Sequence, residues 1–223
     1  MLNYNLLIKN DNRLELHLPD AEKLSPIYAD FCTPSFKYRL AKGGGRRQPL
    51  ARAIGLKQNA TSLVFDATAG LGRDGFILAA LGCQVIMCEQ SPIIHALLED
   101  GLRRALQDPE LEATARRIVL YCGNSQEILP QIGLSQRPDV VYLDPMFPHR
   151  HKSALVKKEM RALRAVVGDD LGSADLLETA LKESGRRVVC KRPAQAIFLS
   201  GPSPNFAITT PKHRFDVYLI LRC

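Results

Sequence analysis

Apolar residues recur along this chain with two different periods, and the switching between them predicts the architecture. Short runs rich in β-branched and aromatic residues at Ser62–Ala67, Gln84–Cys88, Ile118–Cys122 and Val140–Leu143 have the length and composition of buried strands. Between the first three lie Arg73–Leu81 and Pro92–Leu106, where apolar positions repeat at helical spacing. Strands that alternate with helices need crossover connections, so the pattern predicts an α/β fold: a doubly wound, mostly parallel sheet with helices on both faces. Further on, Ser173–Ser184 predicts a helix, with Ser173 as its N-cap and Gly185 closing it. Arg187–Lys191 predicts a strand halted by Pro193. Phe206–Thr209 and Phe215–Leu221 stand too close together for a helical crossover, which predicts an antiparallel C-terminal hairpin and brings the sheet to seven strands.

The chain ahead of residue 62 reads differently. Leu14, Leu16 and Leu18 alternate with polar neighbours after an Asn-Asp-Asn turn, so residues 6–18 predict a hairpin, a small N-terminal β appendage. Pro26 and Pro34 break the pattern from Pro19 to Lys42, where loops and short turns are expected. Gly43-Gly-Gly then gives a hinge, and the stretch to Gly55 a short basic helix. The expected organisation is an appendage over 1–42, a basic hinge and helix over 43–61, and the main domain over 62–223.

Totals narrow the class. In 223 residues, 46% of them hydrophobic, no apolar run approaches the roughly 20 residues of a membrane span, and the first residues lack the pattern of a signal peptide. A soluble, cytoplasmic protein with no membrane partner is expected. The six cysteines form no C-x-x-C pair and four fall in apolar runs, so neither a metal site nor a disulfide framework is expected. A formal charge of +7 favours a polyanionic partner, although such an excess can also be a solvated surface. Placement bears on the choice. His149-Arg-His-Lys152 and Lys157-Lys158 follow directly on the stretch with the most chemistry in it, and Arg46-Arg47 lies in the hinge. His149, Arg150, Lys152, Lys157, Lys158, Arg46 and Arg47 are therefore candidate RNA contacts.

That stretch is Pro138-Asp-Val-Val-Tyr-Leu-Asp-Pro-Met-Phe-Pro-His149. The strand ends at Asp144, and Pro145, with φ held near −65° and no N–H, forces the chain out of the sheet. The expected product is a stiff loop presenting a carboxylate, backbone carbonyls and the aromatic face of Phe147. Such groups suit a planar base with an exocyclic amine, since the acceptors take its N–H bonds and the ring stacks on it. Asp144, Pro145 and Phe147 are the candidate catalytic residues; an ordinary strand-to-loop exit is the alternative.

A cofactor is suggested by Phe65-Asp-Ala-Thr-Ala-Gly-Leu-Gly-Arg-Asp-Gly75, which follows a strand and opens a helix. Gly70 and Gly72 let the backbone turn sharply beside a ligand, and the helix start adds partial positive charge. The dinucleotide spacing G-x-G-x-x-G is not met. Glu89, at the end of the next strand and about twenty positions on, is placed to accept both ribose hydroxyls of a nucleoside, which suits either NAD or S-adenosylmethionine. Carboxylates at Asp66 and Asp74 would repel a pyrophosphate and attract an ammonium and a sulfonium, which favours the latter. Arg73 could take the cofactor's carboxylate, and Asn124-Ser125 is placed for the adenine unless it is simply a helix N-cap.

Five strings, Asp66-Ala-Thr-Ala-Gly-Leu-Gly-Arg-Asp74, Val141-Tyr-Leu-Asp-Pro-Met-Phe-Pro-His149, Lys152-Ser-Ala-Leu-Val-Lys-Lys-Glu-Met160, Val188-Val-Cys-Lys-Arg-Pro193 and His213-Arg-Phe-Asp-Val-Tyr218, together closely resemble the RsmJ-type ribosomal RNA methyltransferases. The resemblance runs from about Gly43 to the carboxyl terminus. It implies a Rossmann-like class I methyltransferase sheet, S-adenosylmethionine as cofactor, and methylation of the exocyclic N2 of one guanine in 16S ribosomal RNA or the small ribosomal subunit. It further implies cofactor contacts at Arg73, Asp74, Glu89, Gln90, Asn124, Ser125 and Asp144. The loop at Asp144 also resembles the D-P-P-Y signature of amino methyltransferases, with Met146 for the second proline and Phe147 for the tyrosine. Related enzymes with that loop act on DNA bases or glutamine amides, so another base or a protein amide is the alternative acceptor. An NAD-dependent oxidoreductase and a non-catalytic RNA-binding protein are the remaining readings.

Overall fold

The computed structural model describes residues 5–8, 12–17, 26–57, 61–145 and 172–221. Seven strands form the central sheet: β3 (Leu63–Asp66), β4 (Gln84–Glu89), β5 (Ile118–Cys122), β6 (Val140–Leu143), β7 (Arg187–Pro193), β8 (Phe206–Thr209) and β9 (His213–Leu219). Their order is β5-β4-β3-β6-β7-β9-β8. The first five along this order are mutually parallel, while β9 runs antiparallel to both β7 and β8, as the short connection between β8 and β9 requires. The chain progresses outward from β3 through β4 to β5, then returns to pair β6 on the other side of β3. The strand order therefore reverses between β3 and β6, and a crevice at the carboxyl ends of these two strands is where such sheets bind ligands.

Alternate residues on each strand feed two cores. Val64, Val85, Met87, Val140, Tyr142, Val189 and Phe215 face a cluster with Phe31, Phe36, Ile54 and Phe76. Phe65, Cys88, Val141, Leu143, Val188 and Tyr218 face a second cluster with Leu129, Leu176, Leu177 and Ala180. The helices that pack onto the sheet are α1 (Pro34–Lys42), α2 (Pro49–Ala53), α3 (Arg73–Ala80), α4 (Pro92–Leu106), α5 (Glu112–Ala115), α6 (Ser125–Ser135) and α7 (Ser173–Glu183). Phe31 stacks on Phe76 with centroids 4.2 Å apart, and Phe36 meets Phe76 edge-on at 5.7 Å, so residues ahead of the hinge are built into the main core.

Four details depart from expectation. Residues 34–42, expected as loop, form α1, because Thr33 accepts the Phe36 N–H and Pro34 occupies the first turn, where its missing N–H costs nothing. Ser125–Ser135 forms α6 despite Pro130 within it. Gly172, not Ser173, stands at the N-cap of α7, and Ser184 rather than Gly185 ends it. The N-terminal hairpin is present, with β1 (Asn5–Ile8) antiparallel to β2 (Leu14–His17), but Glu15 does not alternate outward. It is buried, held by Arg13 at 2.6 Å and His17 at 2.9 Å, while Leu16 packs with Ile94 and Leu97 of α4.

Candidate active site at the strand carboxyl ends

The glycine turn has the shape its sequence predicts. Gly70 and Gly72 have φ of +55° and +73°, in the left-handed region. They differ in surroundings: a Cβ on Gly72 would lie 2.4 Å from Leu98 Cδ1, whereas on Gly70 the nearest atom is 4.0 Å away. Gly72 thus packs the turn onto α4, and Gly70 keeps its outer side open to a ligand. Beneath the turn Glu89, on the neighbouring strand, accepts the Gly70 N–H through Oε2 and the Ser91 N–H through Oε1, both at 2.8 Å. Burial pushes its carboxyl above the ordinary value, against the pull of those two amides. Each oxygen retains acceptor capacity, so the two hydroxyls of a ribose could still be taken.

Around the switch point four titratable residues come together. Asp66 closes β3, and its Oδ1 accepts the Thr68 N–H at 3.3 Å. Asp74, in the first turn of α3, accepts the Tyr142 hydroxyl at 2.7 Å. Asp144 follows β6, and its own N–H donates to Thr68 Oγ1 at 2.6 Å. Lys191 of β7 joins the last two, its Nζ donating to Asp74 Oδ2 at 2.7 Å and to Asp144 Oδ2 at 2.8 Å.

These contacts set the charges. Burial, reinforced by Asp74, pushes Asp66 up to about 8, so it is largely protonated at neutral pH. Burial also opposes ionisation of Asp74, but Lys191 and the Tyr142 hydroxyl outweigh it and hold that carboxyl below its ordinary value. Asp144 keeps 40% of its side-chain surface exposed; partial burial together with Asp74 raises it to about 6 against the pull of Lys191. Lys191 is desolvated too, but its two carboxylate partners raise its pKa on balance. The two carboxyl groups beside the turn therefore differ: burial raises Asp66, whereas Asp74 is ion-paired with Lys191.

The other expected residues are placed as follows. Arg73 and Gln90 are exposed at the starts of α3 and of the loop after β4. Asn124 does cap a helix, its Oδ1 accepting the Gln126 N–H at 2.9 Å, and Ser125 is buried with Oγ donating to the Ala67 carbonyl at 2.7 Å. Both lie at the carboxyl end of β5, the same edge as Glu89. Pro145 is buried directly after Asp144. Arg46 is not brought to this edge: its guanidinium donates to the carbonyls of Lys57 and of Leu81, the latter at 3.1 Å and at the far end of α3 from the turn. Arg47 is exposed in the same short 3-10 turn, Gly45–Arg47. Phe147, His149, Arg150, Lys152, Lys157 and Lys158 lie outside the described residues. Sequence reasoning missed Thr68, Tyr142 and Lys191 as members of the site. The signals for Lys191 were its place near the end of a strand that stops at a proline and its presence in the string Val188–Pro193.

The chain as a whole is similar to known methyltransferases. The SAM_MT family model, for SAM-dependent methyltransferases, matches residues 2–220. The ribosomal RNA small subunit methyltransferase J of Tolumonas auensis is 52% identical over 217 residues, covering 97% of this chain and 86% of the relative. That of Thioalkalivibrio sulfidiphilus is 50% identical, covering 96% and 84%. Among solved structures, the SAM-dependent methyltransferase NGO1261 from Neisseria gonorrhoeae superposes with a TM-score of 0.78 at 40% identity, over 98% of this chain and 84% of that one.

Proposed function

Since the chain belongs to the ribosomal RNA small subunit methyltransferase J family of SAM-dependent methyltransferases, we propose that it methylates the exocyclic N2 of a guanine in 16S ribosomal RNA. The observation that carries the choice of an amine is Asp144, a carboxylate fixed at the switch point, one residue before a proline and beside the glycine turn. S-adenosylmethionine supplies an electrophilic methyl group on a sulfonium when bound. The chain's residues fit it: Gly70 leaves space along the turn, Glu89 has acceptor capacity for the ribose, and Asp66 and Asp74 offer carboxyl oxygens to its ammonium. Arg73, Gln90, Asn124 and Ser125 complete the cofactor contacts in this reading.

Guanine N2 is a poor nucleophile because its lone pair is delocalised into the ring. Asp144 and the Pro145 carbonyl, accepting the two N–H bonds, favour a pyramidal nitrogen with its lone pair free to attack. No strong base is required first, and the proton leaves during or after transfer. Alignment of this kind is worth on the order of 7–11 kcal/mol. Phe147 and the basic residues from His149 to Lys158 hold the flipped base and the RNA backbone in this reading, and the enzyme works in the cytoplasm on the small subunit or its RNA. The deciding experiment is methylation, with labelled S-adenosylmethionine, of small subunits from cells lacking the activity, followed by mapping of the label. Label on another base, or on protein, would reassign the acceptor.

A further inference from the structure

Lys191 is the one cation that touches both carboxylates flanking the crevice among the described hydrogen bonds and ion pairs. We propose that it is a positioning residue for methyl transfer: by binding Asp144 Oδ2 it orients that carboxylate, leaves the other oxygen available to the acceptor amine, and keeps the group ionised. The proposal rests on the reading of Asp144 as the amine acceptor.

The geometry restrains Asp144 from three directions. Its N–H is tied to Thr68 Oγ1 at 2.6 Å, Pro145 fixes the chain beyond it, and Lys191 holds the side chain at 2.8 Å. Lys191 is itself anchored, because its second partner, Asp74, is pinned by the Tyr142 hydroxyl. Its backbone pairs with Phe215 of β9, and the residue before it, Cys190, pairs with Leu143 of β6. A rigid cation between two carboxylates is what a side chain with free rotation needs if one of its oxygens must be ready before the substrate arrives.

Electrostatics points the same way. Asp144 faces Asp74 of α3, Lys191 of β7, Tyr142 of its own strand and Asp66 of β3, while His213 of β9 and Arg39 of α1 act on the Asp74 and Lys191 end of the cluster. Of the groups facing Asp144, Lys191 favours its charge; burial and Asp74 oppose it. A protonated carboxyl has one acceptor fewer, so loss of Lys191 must move the acid limb of catalysis to higher pH.

The test measures kcat, KM for small subunits and S-adenosylmethionine affinity from about pH 5.5 to 9 for wild type, Lys191→Met, Lys191→Arg, Asp144→Asn and the Met/Asn double variant. Lys191→Met is expected to lose at least about tenfold in kcat at pH 7, with its acid limb shifted up by about one pH unit or more. Lys191→Arg restores the limb. In the Asp144→Asn background the lysine substitution costs little further, because the two residues act as one unit. An unmoved limb, or losses that multiply in the double variant, would overturn the proposal. Should Lys191→Met fail to fold, Lys191→Gln keeps a donor without the charge, and its acid limb is expected to shift up in the same way. Failure of the guanine reading is separate: it shows in the mapped product of the wild-type enzyme.

Discussion

Glu89 accepts the Gly70 N–H at 2.8 Å, and this bond makes the acid at the end of β4 and the first glycine of the turn a single unit although nineteen residues separate them. A carboxylate in that position holds the turn in shape, and in the proposed reading it also takes the ribose of the cofactor.

Glu89→Ala is therefore expected to weaken S-adenosylmethionine by roughly 1.5–3 kcal/mol, the range for hydrogen bonds to a charged group. RNA affinity is expected to change little. Calorimetric titration of the purified variant checks this, and an unchanged cofactor affinity would leave Glu89 with the turn alone.

Asp144→Ala removes an acceptor that is aligned before reaction, and the loss of a comparable positioned group costs on the order of 10² or more in rate. Lys191 would lose one of its two partners, so thermal unfolding must be recorded beside turnover. Activity within a few-fold of wild type in a folded variant would remove Asp144 from the chemistry.

Asp66 gives a signed prediction for stability. Its carboxyl sits at about 8 in the folded protein, above the ordinary value of roughly 3.9 in an unfolded chain. Between those values the folded form binds the proton that the unfolded form has released, so this group's contribution to stability falls as pH rises from about 4 to about 8 and then levels. Asp66→Asn, which carries no such proton, is expected to gain relative to wild type across that window, by on the order of a few kcal/mol at its upper end. Urea midpoints at several pH values measure it; a difference independent of pH would refute the assignment.

Replacement of Arg150, Lys152, Lys157 and Lys158 by glutamine is expected to weaken RNA binding and to flatten its salt dependence, by somewhat less than one log–log unit for each phosphate no longer neutralised. Cofactor affinity stays as it was. The motivation is sequence position alone, since these residues follow the acceptor loop. A slope equal to wild type would place the RNA elsewhere. Arg46 is a poor substitute, because its guanidinium is already engaged by the carbonyls of Lys57 and Leu81.

Sequence alone determined whatever depends on neighbours a few residues apart. The alternation of strands and helices, the left-handed glycines at 70 and 72, the acid ending β4 and the carboxylate before Pro145 all follow from local periodicity and backbone sterics, which act over one or two turns of chain. Tertiary structure decided the partners. Lys191 meets Asp74 across 117 residues and Asp144 across 47, because the order β3-β6-β7 lays three distant strand ends side by side. The same holds for the protonated state of Asp66 and the burial of Glu15 between Arg13 and His17, which alternation assigns to solvent. Burial and Coulomb interactions depend on distance through space, and that distance exists only once the sheet has formed.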